Sequence, residues 1–409
     1  MEIERKPGIR EGHLPTLIAS FLHFDLSFML WVLLGALGIY IAEEAHLSAA
    51  DKGLMVAVPV LSGSLLRIPL GILNDRIGGR RVGIAMLAVL YLPLALGWQL
   101  GTGLPTLVAI GLMLGVAGAS FAVALPLASR WYPPHRQGLV MGLTAAGNSG
   151  TVIANLAAPR LADLAGWHNV LALAMVPLTV VLAAFVVMAR DSERTAPPPP
   201  LKQHLRLLAK ADLWWFCLLY SVTFGGYVGL SSFLPLFLRD QYAISAVDAG
   251  YVTAAAAFVG SGIRPIGGYL ADRAGGVRML SFLLAGITVT YLLAAQLPEI
   301  GPMAGLLIFG MVFFGMGNGA VFQLVPQRFA REIGAATGMV GALGGFGGFL
   351  LPLLLGNMKQ GTGSFGPGFA TLAAFALTAF VALRLLALRQ QGWVLPGRAG
   401  LQRPPVSLR

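Results

Sequence analysis

RIPLGILNDRIGGRR, residues 67–81, opens on an arginine set well inside an apolar run and closes on Arg76, Arg80 and Arg81. Holding a guanidinium at membrane depth costs ~2.5–3.5 kcal/mol on insertion scales, so something must compensate Arg67. The stretch recurs. Shifting the second half of the chain back by 197 positions, without a gap, lays Arg264 on Arg67, Gly268 on Gly71, Asp272 on Asp75 and Arg273 on Arg76; it also lays Gly275, Gly276 and Arg278 on Gly78, Gly79 and Arg81. The same shift carries Gly344 and Gly347 of GGFGG onto Gly147 and Gly150 of AAGNSG.

Around this repeat the chain is apolar throughout. Of 409 residues 56% are hydrophobic and 11% charged, with a mean hydropathy of +0.77. Gly- and Ala-rich runs of roughly 20 residues recur, as expected where helices pack closely in lipid. This predicts an all-α membrane protein with twelve spans near 16–42, 50–73, 82–100, 104–128, 138–160, 168–189, 212–237, 249–271, 279–297, 302–325, 335–357 and 366–387. A transmembrane β-barrel would need strands of ~10 residues with alternating polarity, which are absent. The first run is too long for a signal-peptide core and is followed by no A-x-A pattern, so it reads as a retained span. The lone Cys217 excludes an internal disulfide. RDSERTAPPPPLKQHLRLLAK, residues 190–210, has a charged start, a proline run and a basic amphipathic end, and reads as a linker. The expected organisation is a six-helix bundle at 1–189, a linker at 190–211, a second bundle at 212–387 and a tail at 388–409.

Twenty-two of the 28 Lys and Arg residues fall on the side that carries the N-terminus, against Lys52, Arg160, Arg239 and Lys359 on the other. The positive-inside rule then makes both termini cytoplasmic, in the inner membrane. The net charge of +11 is thus topogenic rather than a nucleic-acid footprint. Only Arg67 and Arg264 remain, both within spans, and the repeat puts them at equivalent depths. Parallel halves with a ligand site between them near the midplane are one plan of membrane carriers.

The loop GILNDRIGGRR and its copy GGYLADRAGGVR resemble the G-x-x-x-D-R-x-G-x-R loop of the major facilitator superfamily. The arginine eight residues before each loop aspartate, GLTAAGNSGTVIANLAAP (142–159) and GALGGFGGFLLPLLLG (341–356), resemble the nitrate/nitrite porters within it. The resemblance covers essentially all the spans. It implies two pseudo-symmetric six-helix bundles and a substrate anion, nitrate or nitrite, clamped by Arg67 and Arg264. It further implies that Asn148 and Tyr220, the latter in YSVTFGG, contact substrate and that Phe224 packs over it. Gly345 stands where the first repeat has Asn148, so that pair of positions offers one amide donor.

The chemistry agrees. A planar, weakly hydrated oxyanion suits the coplanar donors of a guanidinium fork, which lysine does not offer. Two unpaired Arg⁺ repel, so an empty site should stay open and wet until an anion allows closure. Against this, an intramembrane arginine can simply pair with a carboxylate or with carbonyls, the signature glycines can serve helix packing alone, and Tyr220 and Phe224 can be interior packing. Asp75, Arg76, Asp272 and Arg273 read as conformational latches rather than ligands. Asp25 lies ~15 Å into the first span, near mid-membrane. It carries a coupling proton, making a nitrate/proton symporter, or it pairs with an arginine or caps a helix. His23, two residues away, reads as a packing histidine. The resemblance also admits nitrate/nitrite exchange, and the paired arginines would equally serve a carrier of another small anion, such as a carboxylate. A monomer in the lipid bilayer is expected, without cofactor or nucleic acid. No metal-ligand cluster, nucleophile triad or phosphate loop suggests an enzyme. Short loops without an output domain argue against a receptor.

Overall fold

The computed structural model describes residues 12–100, 103–192, 206–329 and 333–389. These residues are helical, with no strand among them. In chain order the helices are α1 (Leu14–Trp31), continued by the short helices Leu33–Ala36 and Gly38–Glu44, α2 (Ala49–Ile77), α3 (Gly79–Gln99) and α4 (Leu104–Ser129), then α5 (Pro134–Ala145) and α6 (Gly150–Ala165). There follow α7 (Trp167–Met188), α8 (Ala211–Tyr242), α9 (Ala246–Ala274), α10 (Gly276–Ala294), α11 (Ile300–Val325), α12 (Ala335–Thr362) and α13 (Gly366–Arg389). Among the described residues, eleven of them are long and apolar enough to cross a membrane. The span expected at 138–160 consists of α5 and α6 with a single 3₁₀ turn between them, Ala146–Ser149, so neither piece alone has that length. The prolines and basic residues at 193–205, the tail beyond 389 and Arg5, Lys6 and Arg10 lie outside the described residues.

The repeat is visible in how the helices begin and end. Ser48 caps α2 by accepting the Asp51 N–H at 3.2 Å, and Ser245 caps α9 by accepting the Asp248 N–H at 3.1 Å. Both helices stop at a loop-motif glycine, Gly78 at φ +99° and Gly275 at φ +89°, where a side chain would strain the backbone. The turn that opens the motif in each repeat is therefore built by the residue type the turn needs.

Helices before and after the linker meet along two seams, α2 against α12 and α6 against α9. At the end away from the motif turns, ion pairs tie the repeats together: Lys52 Nζ to Asp240 at 2.7 Å and Arg239 Nη2 to Glu43 at 2.9 Å. Arg160 adds a cation–π contact, 4.4 Å over the Tyr251 ring. At the motif end the pairs Asp75–Arg130 and Arg328–Asp212 each stay within one repeat.

Candidate anion-binding site

Arg67 sits deep in α2, 3% exposed. Its Nε donates to the Gly118 carbonyl at 3.0 Å, and its Nη1 donates across the seam to the Gly341 carbonyl of α12 at 2.6 Å. The guanidinium carbon lies over three rings: Trp31 at 5.5 Å, Phe121 at 5.4 Å and Phe224 at 4.9 Å. Ring faces carry negative charge density, so this box holds a cation without neutralising it. Nη2 is buried without a partner. The sequence suggested an open, hydrated chamber; around Arg67 the repeats instead meet, with the Gly341 carbonyl of α12 accepting from its Nη1.

Arg264 opens the lower part of α9 and is half-buried. It stands within electrostatic reach of Arg67, of the Tyr220 hydroxyl and of Tyr227, without a hydrogen bond of regular geometry to the Tyr220 oxygen. No carboxylate pairs with either arginine among the described residues. Tyr220 stacks on Phe224 at 4.9 Å, nearly parallel, and touches Phe322, which in turn stacks on Phe121. Tyr220 is followed by a π turn, Ser221–Gly225, which re-aims the helix where the rings converge. Thus Arg67, Arg264, Tyr220 and Phe224 come together, as the sequence suggested.

Asn148 lies in the 3₁₀ turn, wholly buried, with both amide atoms unpartnered. Its counterpart Gly345 has a physical reason. A Cβ there would lie 2.5 Å from Ser64 Oγ, with Arg67 Nη1 in ordinary contact at 3.6 Å, so the second repeat gives that room to the Ser64 hydroxyl beside the guanidinium. The other signature glycines are close-contact positions: Gly147 and Gly150 against the Asp25 backbone, Gly344 against the Tyr220 ring, and Gly347 against the Ser221 carbonyl. Their packing use is what the structure displays.

Asp25 pairs with neither arginine. Its carboxylate accepts from Ser149 Oγ at 2.6 Å, next to Asn148 in the same turn. His23 is buried, with Nε2 3.3 Å from the Gly83 carbonyl and its ring 4.9 Å from Phe185. Of the latch residues, Asp75 bonds Arg130 and Arg273 lies 4.4 Å over the Tyr269 ring. Asp272 is exposed, and Gln327 stands at the position equivalent to Arg130, so the second repeat cannot copy that ion pair. Sequence reasoning missed Trp31, Phe121, Phe322, Ser64 and Thr223. Each is an ordinary residue in an apolar run, and only the packing brings Trp31, Phe121 and Ser64 to Arg67, Phe322 to Tyr220 and Thr223 to Gly317. Ser64 Oγ, which shares the Gly345 contact with Arg67, and Thr223 Oγ1, against Gly317, are buried and unpartnered.

A buried, cation-lined site with unspent hydrogen-bonding capacity, set between repeated sets of helices, is the site of a membrane carrier. The Major Facilitator Superfamily description matches residues 19–352. The nitrite extrusion protein of Bacillus subtilis (strain 168) is 36% identical over 359 residues, 87% of this chain and 89% of that one. "Probable nitrate/nitrite transporter NarK2" of Mycobacterium tuberculosis is 36% identical over 87% of this chain and 91% of its own. "Probable nitrate/nitrite antiporter NarK1" of Thermus thermophilus is 32% identical over 93% of each. A solved structure of a bacterial homolog to the human lysosomal transporter Spinster, inward-facing and occupied, shares the fold. Its TM-score is 0.74 at 18% identity, over 93% of this chain and 98% of that one. The chain belongs to the major facilitator superfamily, in its nitrate/nitrite porter family, and is a transporter rather than an enzyme.

Proposed function

We propose that the protein moves nitrate, and nitrite as a second substrate, across the inner membrane by alternating access. Two pseudo-symmetric six-helix bundles, twelve spans in all with both termini cytoplasmic, rock about the site at their interface. One observation carries this reading: two repeat-related arginines, unpaired with any carboxylate among the described residues, lie within electrostatic reach of each other and of Tyr220. Two guanidinium groups so placed repel, and a flat oxyanion between them relieves the repulsion while accepting coplanar donors from each. Arg67 Nη2 and the Asn148 amide, both unsatisfied, supply further donors.

Coupling to protons follows from Asp25. Its carboxylate holds Ser149, the neighbour of Asn148, so a proton on Asp25 alters the hold on the turn that presents the amide to the anion. Nitrate entering a negative-inside cell needs more than one positive charge with it, which favours symport. Exchange of nitrate for nitrite is the second reading, supported by the antiporter name of the Thermus relative.

Uptake of nitrate into proteoliposomes, with and without an imposed pH gradient, tests both. Arg67→Lys and Arg264→Lys should abolish uptake although they keep the charge. Asp25→Asn should lose only proton-driven accumulation. Normal accumulation by Asp25→Asn would replace symport with exchange, and normal uptake by either lysine variant would remove the anion clamp.

A further inference from the structure

Among the described residues, two buried asparagines have both amide atoms without a partner, and they fall one in each repeat. One is Asn148; the other is Asn318 of α11, which is 0% exposed. A carboxamide can make four hydrogen bonds, and leaving all of them unmade away from water is among the most costly arrangements a buried side chain can adopt. Such a group persists where an occupant completes it.

The position of Asn318 says which occupant. Its neighbour Gly317 packs on Thr223, whose hydroxyl is also unpartnered, and its other neighbour Gly319 packs on the backbone of Arg264 and Gly268. One turn further along the same face, Phe322 touches Tyr220 and Phe121. Asn318 thus lies on the face of α11 that looks toward the arginines. The repeat gives an independent bearing. Residue 318 is the counterpart of Phe121, whose ring lies 5.4 Å from the guanidinium of Arg67. The helix contact beside it is conserved between repeats: a Cβ on Gly71 would lie 3.6 Å from Ala122, and one on Gly268 would lie 3.7 Å from Gly319. The same geometry that seats Phe121 against Arg67 therefore seats Asn318 beside Arg264.

We propose that Asn318 is the second amide ligand of the transported oxyanion, replacing from α11 the donor that Gly345 cannot give from α12. This rests on the anion-clamp reading above. An uncharged N–H donor next to Arg264 adds a hydrogen bond to the anion without adding charge repulsion to a site that already holds two cations.

The test compares wild type, Asn318→Leu, Asn318→Ser and Arg264→Lys, purified in detergent and in proteoliposomes. Two quantities are measured: the rise in Tm produced by nitrate, nitrite, formate or bicarbonate, and KM and maximal rate for nitrate uptake. Asn318→Leu, which keeps the branched shape but has no hydrogen-bonding atom, should raise KM at least tenfold and lose most of the nitrate-induced rise in Tm. Asn318→Ser, which keeps one hydroxyl, should fall between it and wild type, and carries the test if the leucine variant does not fold. A nitrate-induced rise in Tm and a KM equal to wild type in these variants, alongside their loss in Arg264→Lys, overturn the role of Asn318 and leave the clamp standing. A wild-type protein whose Tm responds to none of the four anions overturns both.

Discussion

Arg67 and Arg264 occupy equivalent places in the two repeats and have dissimilar surroundings. Around Arg67 are the rings of Trp31, Phe121 and Phe224 and two backbone carbonyls. The residues that the repeat sets in the places of those rings are Val228, Asn318 and Ser27, and the aromatics that reach toward Arg264 are the tyrosines Tyr220 and Tyr227. One cation is fixed, dehydrated and boxed; the other is half-buried among hydroxyls. The clamp proposed above is therefore asymmetric: its rigid side would position the anion, and its half-buried side would exchange it.

Several substitutions would break or sharpen that contrast. The largest difference should come from lysine. Arg67→Lys leaves a buried carbonyl without its donor and empties the aromatic box, so thermal unfolding in detergent should show a loss of about 3 kcal/mol. Arg264→Lys should lose transport with Tm unchanged, and equal destabilisation by both would erase the asymmetry. Next, Phe224→Leu removes a ring from the guanidinium and from Tyr220, about 1–2 kcal/mol, or roughly a tenfold rise in nitrate KM. Ser27→Ala, at the equivalent place in the other repeat, should leave KM within about twofold. Gly345→Ala pushes a methyl group against Ser64 Oγ and should raise KM by a few-fold, about 1 kcal/mol. Ser64→Ala in the same chain should restore it, since the crowded atom is then gone. The smallest effect belongs to the ion pairs at the far end. Lys52→Gln should change unfolding by less than about 1 kcal/mol, with the deficit shrinking at high salt.

Much of the site was legible before any coordinates. Arg67 and Arg264 stand out because a charge in lipid is costly, so its mere presence signals a use. The shift of 197 positions, read from glycines and charges, paired them, and the same shift relates the Ser48 and Ser245 caps and the Gly78 and Gly275 turns. The motif glycines were legible too, and Gly78 and Gly275 do take the positive φ that only glycine adopts freely. The open chamber was not borne out: repulsion between two arginines was weighed, whereas the Gly341 carbonyl and the ring faces that stabilise a lone guanidinium were not. For Asp25 the alternatives were a proton, an arginine or a helix cap; it accepts from Ser149 and from the Gly150 backbone at the start of α6, which is the capping alternative, and Ser149 is a small hydroxyl that gives no sequence signal.

What the sequence determined by itself is the class of environment and the spacing of charge within it. Lipid penalises every polar side chain it surrounds, so hydropathy, basic loops and two displaced arginines can be read one residue at a time. What only the tertiary structure decided is the company those arginines keep. Phenylalanine in an apolar run costs nothing wherever it falls, and Asn318 among glycines looks like packing. Their meaning depends on which helix faces which, and that is set by close contacts between residues hundreds of positions apart.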